Sequence, residues 1–464
     1  MLSLLPLGLW AQNDRDAFKF SFMTPTGTAR FASLAGSMGA FGADFSTAST
    51  NPAALGTYNK SEFTFSPSLY NAKSEIAYNG ESYDDNKWNF NFGNVGIVLA
   101  IPETSGKWKA VQFSTGINRM GSFHLYSYGA GSNNKNTSIT DNFTESFVEN
   151  GGKVTGSYLS YAAYQLYLTS YDATGALKSD ISNLDLMQEK SYSSKGSMNE
   201  YVISFSGNYD DVLFLGATLG IPYFHSFESS TYAEYNNENG VFHNLQYGEE
   251  VKQDGSGINF KVGMLYQPFN FVRLGFAVHT PTFYEIDEYY SSTLAASHDS
   301  VGYKEYITSN GDYEYRITTP YHILGDIAFM FKTFGFINFG YEFTDYKNMR
   351  MRADNYSFRK ENNEIGKLYQ GVHTCKIGGE LNLSPLALRA GYSHSSNPFV
   401  EDGKDGSINV FSAGIGFRSQ YFYIDFAYVN QNYKETDIFY ANIPYAYENT
   451  ISKHNFITTF GWKF

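Results

Sequence analysis

Residues Asn409 to Tyr428 read NVFSAGIGFRSQYFYIDFAY, and in two successive segments the apolar side chains occupy alternate positions. In the first segment the apolar face is formed by Phe411, Ala413, Ile415 and Phe417. The second segment alternates in the same way from Phe422 to Tyr428. A period of two residues is that of a β-strand with two different faces. The stretch therefore predicts two strands joined by a short turn.

The same pattern recurs along the chain from about residue 61 onward. It predicts fourteen strands, at 61–73, 87–101, 108–126, 196–208, 211–235, 246–268, 270–291, 311–332, 334–352, 367–383, 386–398, 406–419, 420–436 and 451–464. The connections alternate between short turns and longer loops, and the longest loop covers 127–195. Short turns on one side and long loops on the other are typical of a membrane β-barrel, as is an even number of strands.

Composition supports a barrel over a soluble sandwich. Phe 40, Tyr 39 and Trp 4 make up 18% of the 464 residues, and such an aromatic excess is expected from girdles at the two membrane interfaces. Mean hydropathy is −0.35, which excludes a bundle of apolar spanning helices. The formal charge of −13 argues against a nucleic-acid partner, because phosphate would be repelled.

The last strand carries His454, Phe456, Thr458, Phe460, Trp462 and Phe464 on one face. This alternation, ending on a terminal Phe, resembles the recognition signal of bacterial outer-membrane barrels. A membrane core offers no water to unpaired backbone groups, so a sheet that spans it must close on itself. The predicted fold is all-β: a 14-stranded antiparallel transmembrane β-barrel over residues 60–464.

Two N-terminal segments precede the barrel. Residues 1–11 contain the apolar run LSLLPLGLW and read as a signal peptide that is cleaved after Ala11. Residues 12–59 are rich in Gly, Ala, Ser and Thr and are unsuited to spanning a bilayer. A fourteen-stranded barrel has a lumen too wide for its own side chains to fill. We therefore expect 12–59 to be a hatch that plugs the lumen.

The run from Gly42 to Gly56, GADFSTASTNPAALG, resembles the Asn-Pro-Ala hatch motif of the FadL/TodX family of outer-membrane transporters for long-chain fatty acids and hydrocarbons. The resemblance implies that Asn51, Pro52 and Ala53 hold the hatch in the lumen. It also implies that hydrophobic ligands bind between loops, lumen and hatch, and leave sideways through a gap in the wall. The implied function is passive uptake across a bacterial outer membrane, with no enzymatic activity and no cofactor.

Several residues are candidates for contact with such a ligand. The long loop carries an aromatic stretch at helical spacing, predicted either as a capture surface or as a lid that packs on neighbouring loops; the surface residues are Tyr158, Tyr161, Tyr164 and Leu166. Four cations on the polar faces could bind a ligand carboxylate or simply pair with acidic neighbours: Lys261, Arg273, Arg389 and Arg418. Gly116 and Gly121 could weaken the third strand and open the wall.

Other functions remain open at this stage. A haem receptor is one alternative, although the histidines are scattered singly and predict no metal site, at His124, His225, His279, His322, His373 and His394. A second alternative is a non-transporting scaffold within a larger outer-membrane complex. A hydrolase is not indicated, because no local signature joins Ser, His and an acid. The expected partners are a hydrophobic small molecule and membrane lipid.

Overall fold

The computed structural model describes residues 14–24, 26–78, 81–103, 106–133, 137–149, 158–238, 240–401, 405–440 and 446–464. The predicted signal peptide at 1–11 lies outside the described residues. Five α-helices are present there: α1 Asp14–Ser21, α2 Ala29–Ser33, α3 Ile139–Glu149, α4 Tyr158–Gln165 and α5 Arg359–Leu368. None of the helices in these ranges is long and apolar enough to cross a membrane.

Twenty strands are also present in the described ranges, along with short 3-10 helices. They are β1 Glu62–Tyr78, β2 Glu81–Pro102, β3 Trp108–Ser122, β4 Leu125–Ser132, β5 Thr169–Tyr171, β6 Leu177–Ser179, β7 Leu186–Tyr209, β8 Leu213–Asn236, β9 Phe242–Phe269, β10 Val272–His279, β11 Phe283–His298, β12 Gly302–Thr318, β13 His322–Met330, β14 Gly335–Asp345, β15 Arg350–Arg352, β16 Gly371–Leu383, β17 Leu386–Ser395, β18 Ile408–Arg418, β19 Phe422–Ile438 and β20 Ala446–Lys463.

All of these strands except the β5–β6 hairpin form one closed antiparallel barrel. Closure is made by β1, which pairs with β20 as well as with β2. Four wall strands are interrupted and consist of two pieces each, namely β3–β4, β10–β11, β12–β13 and β14–β15. Counted by wall position, the barrel has fourteen strands, which confirms the predicted fold class.

The apolar faces of the strands point outward. Phe276, Ile415 and Phe426 are all between 43% and 48% exposed, whereas their polar neighbours Lys261 and Asp425 are buried inside the barrel. An outward apolar face is stable in hydrocarbon, not in water. The barrel is therefore built to span an outer membrane, with its charged side chains in the lumen.

Several strands are longer than the sequence pattern predicts. The extra residues lie mainly on the side of the longer loops, which we take as extracellular. Residues 74–86 are predicted from sequence as a loop, but 74–78 and 81–86 form the ends of β1 and β2, which pair in register up to Tyr78 and Glu81. β7, β8 and β9 likewise extend to between 24 and 28 residues. These extensions lie above the lipid, where outward residues are polar, so the apolar alternation that predicts a strand fades there.

The hatch fills the lumen, as predicted. After α1 and α2, two 3-10 helices follow at Phe45–Ser49 and Pro52–Thr57, and their residues are buried almost throughout. Small side chains let these short helices fit closely within the ring of strands. The C-terminal end of the hatch is fixed by Gln112, whose Nε2 donates to the carbonyl oxygens of Gly56 and Tyr58 at 3.2 and 3.0 Å.

Candidate functional site in the barrel lumen

A buried ion pair ties the hatch to the wall. Both carboxylate oxygens of Glu380 on β16 accept from Arg30 of α2, at 2.8 Å from Nε and 2.8 Å from Nη2. Arg389 on β17 also donates to Glu380, at 2.6 Å, and to Asp425 on β19, at 2.8 Å. Bidentate contacts of this kind are among the strongest polar interactions in proteins. The charges alternate in sign across three wall strands and the hatch.

The Asn-Pro-Ala motif forms the start of the second 3-10 helix. The Asn51 side chain accepts from the Ala53 backbone N–H at 3.2 Å and donates to the Gly39 carbonyl oxygen at 2.7 Å. Pro52 occupies the first turn, where its missing N–H costs nothing. Asn51 thus caps one segment of the hatch and fastens it to another.

Wall glycines make room for this motif. A Cβ atom at Gly263 would lie 2.0 Å from Asn51 Oδ1, and one at Gly216 would lie 2.4 Å from the carbonyl carbon of Pro52. Any larger residue at either position would push the hatch off the wall. The shape of the motif therefore matches that of two neighbouring wall strands, β8 and β9, which are far from it in the sequence.

The wall itself is interrupted between its second and third strands. The β2–β3 ladder ends at the pair Asn94 and Asn118. Beyond that point, described residues of β2 pair only with β1, while the rest of β3 and all of β4 pair with β7. We call the stretch between 81–93 and 119–132 the wall gap. A missing ladder leaves backbone groups unpaired and weakens the wall locally.

The hatch backbone covers part of this gap from the inside. The Thr24 N–H donates to the Met120 carbonyl oxygen at 2.8 Å, and the Thr26 N–H donates to that of Arg119 at 3.1 Å. A Cβ atom at Gly93 would lie 2.6 Å from the carbonyl oxygen of Gly27. Thr24 and Thr26 therefore take the place of β2 as backbone partners of β3 and cover the gap from the inside.

The two glycines predicted to weaken the wall lie near this point. Gly116 pairs with Gly96 just below the end of the ladder, and a Cβ atom there would lie 2.3 Å from the Val95 carbonyl oxygen and 2.7 Å from the Phe45 ring. Gly121 lies at a register irregularity of β3 where the strand leaves β2. Gly116 lets the hatch pack closely against the wall, and Gly121 lies at the irregularity in β3. The role of both glycines in opening the wall stays a prediction.

A small cavity of about 50 Å³ lies against the gap. Its lining includes Arg119, Lys453, Tyr70, Asn91 and Asn455, together with Thr24 and Thr26 of the hatch. Arg119 is 8% exposed, and its Nε has no hydrogen-bond partner among the described residues. The hydroxyl of Tyr70 is likewise buried without a partner there. Two cations and several polar atoms thus surround a space that suits an anionic or polar head group.

The four cations predicted from sequence are engaged with the protein itself. Lys261 is buried and pairs with Glu200. Arg273 donates to Gln267 and to the Phe41 carbonyl oxygen at 2.7 Å each, Arg389 pairs with Glu380 and Asp425, and Arg418 pairs with Asp425 at 3.4 Å. Arg119 and Lys453, which sequence reasoning missed, line the gap cavity instead. Neither shows a distinctive pattern in the sequence.

Helix α1 lies across the lumen on the extracellular side of the hatch. Lys19 donates to Ser226 Oγ at 2.8 Å and to Gln253 Oε1 at 3.0 Å, and it also pairs with Glu228. Phe20 stacks on Phe224 with ring centroids 3.9 Å apart. Helix α1 is thereby fastened to β8 and β9 inside the barrel.

The predicted capture surface lies at the extracellular end. Tyr158, Tyr161 and Tyr164 on α4 are 79%, 42% and 39% exposed. Leu166 is predicted from sequence to share this surface, but it is buried in a cluster with Phe143. It follows the last residue of α4 and turns inward. Only the tyrosines present a face to solvent, and their role in capture stays a prediction.

A buried carboxylate organises this extracellular cap. Glu234 lies on β8, eleven residues beyond the outward-facing Tyr223 of the apolar belt. Its carboxylate accepts hydrogen bonds from Ser138 Oγ at 2.5 Å, from the Ile139 N–H at 2.9 Å and from the Tyr232 hydroxyl at 2.6 Å. These contacts hold the start of α3. Burial raises the pKa of Glu234 to about 7.

Two histidines that appear isolated in the sequence are neighbours in space. His279 and His322 lie opposite each other on β10 and β13, with ring centroids 5.7 Å apart. His279 contacts the Thr50 carbonyl oxygen at 2.6 Å, and His322 contacts Glu342 at 2.8 Å. Within the described ranges, no group of three or more His, Cys, Asp or Glu residues is arranged to hold a metal ion.

The geometry is that of an outer-membrane barrel with an N-terminal hatch in its lumen, and solved structures match the chain over nearly its whole length. A FadL homologue of Pseudomonas aeruginosa is 14% identical with a TM-score of 0.61, covering 96% of this chain and 100% of that one. The toluene transporter TodX of P. putida is 12% identical with a TM-score of 0.55, covering 94% and 98%. The toluene transporter TbuX of Ralstonia pickettii is 14% identical with a TM-score of 0.55, covering 96% and 100%.

These likenesses extend over nearly the whole chain and confirm the predicted resemblance at the level of the fold. No protein-family model matches the sequence, and no curated protein matches it.

Proposed function

We propose that the protein is a passive outer-membrane channel for hydrophobic small molecules such as long-chain fatty acids, which leave the lumen sideways through the wall gap into the bilayer. The observation that carries the proposal is the interrupted β2–β3 ladder, covered from inside by hatch residues Thr24 and Thr26. Proteins named as toluene transporters share the fold. The export signal at 1–11 belongs to the same proposal.

The driving force is transfer of apolar surface from water to lipid, at about 25 cal/mol per Å². No chemical energy source is required. The exposed tyrosines of α4 would adsorb ligands at the cell surface, and the aromatic cluster around Phe20 and Phe224 would receive them inside the lumen. At the gap the hatch makes two backbone hydrogen bonds to β3, and Lys87 of β2 donates to Ser193 Oγ and the Ser194 carbonyl oxygen of β7 at 3.1 and 3.2 Å. No continuous ladder joins β2 to β3 there.

The gap cavity supports an amphiphilic ligand with an anionic head group. Arg119 and Lys453 both line it, and a carboxylate there would accept charge-assisted hydrogen bonds from them. The tail would then extend toward the apolar outer surface, where Phe90 and Phe92 of β2 are 63% and 48% exposed. This arrangement orients the ligand for lateral release.

A reversible disulfide tests the exit route. In a Cys375→Ser background, which removes the exposed native cysteine, Thr24→Cys and Met120→Cys place two thiols on backbone-bonded neighbours. Oxidation should stop delivery of a fluorescent fatty acid into the bilayer of proteoliposomes, and reduction should restore it. The Thr24→Cys single variant treated with the same oxidant is the control. Undiminished delivery through the oxidised double variant would remove the lateral route.

A further inference from the structure

The outer wall carries a concavity that neither the lumen nor the hatch uses. It has a volume of about 460 Å³ and is lined by residues of β9, β11, β12 and β15, including Ile258, Phe283, Glu285, Arg316 and Arg352. It lies where two wall strands are interrupted, between β10 and β11 and between β12 and β13. The break in the ladders sets back the wall surface at this point.

Strand register places the concavity at the upper edge of the apolar belt. Ile258, Phe283 and Thr318 lie opposite one another in one row, which ends at the exposed Arg350 of β15. Ile258 and Phe283 are 50% and 56% exposed. The next row toward the extracellular end is polar and contains Ser256, Glu285, Arg316 and Arg352. On β9 and β11 the step from Ile258 and Phe283 to Ser256 and Glu285 marks the level at which hydrocarbon gives way to lipid head groups.

Two guanidinium groups meet in the polar row. Arg316 and Arg352 are directly opposite partners on β12 and β15, and both are exposed. Like charges at such positions destabilise a sheet unless something offsets them. Arg316 pairs with Asp354 at an exposed site, and Glu285 is its other cross-strand neighbour. The guanidinium of Arg352 makes no hydrogen bond or ion pair with any described residue.

We propose that this concavity binds a phosphate-bearing lipid of the outer leaflet. Arg316 and Arg352 would hold the phosphate between them, since the planar guanidinium matches phosphate geometry and donates two hydrogen bonds at once. The acyl chains would lie along Ile258 and Phe283. The exposed pair of Arg316 with Asp354 is weak enough for a phosphate to compete with it. The Glu285 carboxylate, which lies opposite Arg316 on β11, would repel the phosphate. The phosphate would therefore lie nearer to Arg352, on the other side of Arg316.

The inference is independent of the proposed transport function, because the site faces lipid and not the lumen. It is tested by native mass spectrometry of the delipidated full chain titrated with diphosphorylated lipid A. We expect R316Q/R352Q to weaken lipid binding by at least about tenfold, as expected for the loss of charge-assisted contacts. K73Q removes an exposed cation of β1 elsewhere on the outer wall and should leave binding unchanged.

Two further measurements separate the sources of the anion. Inorganic phosphate in large excess should not displace lipid A, since it lacks the acyl chains that contact Ile258 and Phe283. A neutral lipid with the same chains should bind as weakly to the native protein as lipid A binds to R316Q/R352Q. Equal lipid A binding by the native protein and a folded double variant would overturn the proposal, and so would complete displacement by inorganic phosphate.

Discussion

Arg30 of the hatch and Glu380 of the wall form a bidentate, buried ion pair although they are 350 residues apart in the chain. The same carboxylate is shared with Arg389, so the pair belongs to a network that continues to Asp425. Because ions leave water only at a large cost, each member depends on the others. The network makes the hatch an integral part of the barrel.

Arg30→Ala should loosen the hatch. The substitution leaves Glu380 with one cation in place of two, and we expect a loss of about 3 kcal/mol in hatch docking, as for other broken buried pairs. The measurement is ion conductance in planar bilayers together with protease sensitivity of the hatch. Lys434→Gln, which removes an exposed pair with Glu448, is the control. Unchanged conductance and protection in Arg30→Ala would contradict the role of the network.

Asn51→Ala should destabilise the hatch motif. It removes the cap on Ala53 and the hydrogen bond to Gly39, and the expected cost is about 1–2 kcal/mol for the cap plus a buried unpaired carbonyl. Asn51→Ser keeps a capping oxygen, adds no charge to the buried site and loses the donor to Gly39, so it should fall between the native protein and Asn51→Ala. Thermal unfolding in detergent measures the order. An alanine variant as stable as the native protein would show that the motif has no structural role.

Gly116→Ala should displace the hatch from the wall. The added methyl group would overlap the Val95 carbonyl oxygen and the Phe45 ring, so either the β2–β3 ladder or the 3-10 helix at 45–49 must shift. We expect a loss of roughly 1–3 kcal/mol from overpacking. Gly325→Ala on β13 is a matched control, because nothing lies within 4 Å of its added Cβ. Equal melting temperatures for the two variants would argue against close packing at Gly116.

Arg119→Gln and Lys453→Gln should each weaken binding of a fatty acid without affecting a neutral hydrocarbon of the same length. One charge-assisted hydrogen bond is worth about 1.5–3 kcal/mol, which corresponds to at least about tenfold in Kd. Fluorescent ligand displacement in detergent measures both affinities. Arg418→Gln tests the sequence-based alternative. A larger effect from Arg418 than from Arg119 would shift the head-group site away from the wall gap.

The extracellular cap should dock more tightly at acidic than at alkaline pH. Burial raises the pKa of Glu234 to about 7, so the folded cap keeps a proton that the unfolded segment, with an ordinary carboxyl pKa, releases above about 4.5. Stability of the cap therefore falls as pH rises from about 4.5 through 7 and then levels off. Tyr232 and Asp141 are the neighbouring titratable groups.

Hydrogen exchange of α3 measures this effect after correction for the intrinsic rate. We expect exchange at pH 8 to exceed that at pH 5 by up to on the order of a hundredfold, since each pKa unit corresponds to a factor of ten. Glu234→Gln keeps the acceptor without the titration and should show no such dependence. The same slope in the native protein and in Glu234→Gln would assign the effect to another group.

The alternation of Phe411 to Phe417 and of Phe422 to Tyr428 was sufficient to predict strands with two different faces. The even number of strands, the alternating loop lengths and the aromatic last strand were needed to predict a closed barrel. A period of two residues is a local property, and the demand for closure follows from the membrane alone. The small residues and Asn-Pro-Ala run of 12–59 similarly predicted a hatch, since the lumen had to be filled.

Only the tertiary structure decided which charged groups meet and where the wall is open. Lys261 and Arg119 are both single cations within predicted strands, and no sequence pattern distinguishes their surroundings. In the structure Lys261 is buried against Glu200, whereas Arg119 lines the gap cavity. His279 and His322 are isolated in the chain and opposite in the sheet. Register and closure join residues hundreds of positions apart, and no local pattern encodes such pairings. The sequence determines which residues lie on each face of a strand. Their partners on neighbouring strands and on the hatch are decided only when the barrel closes around the hatch.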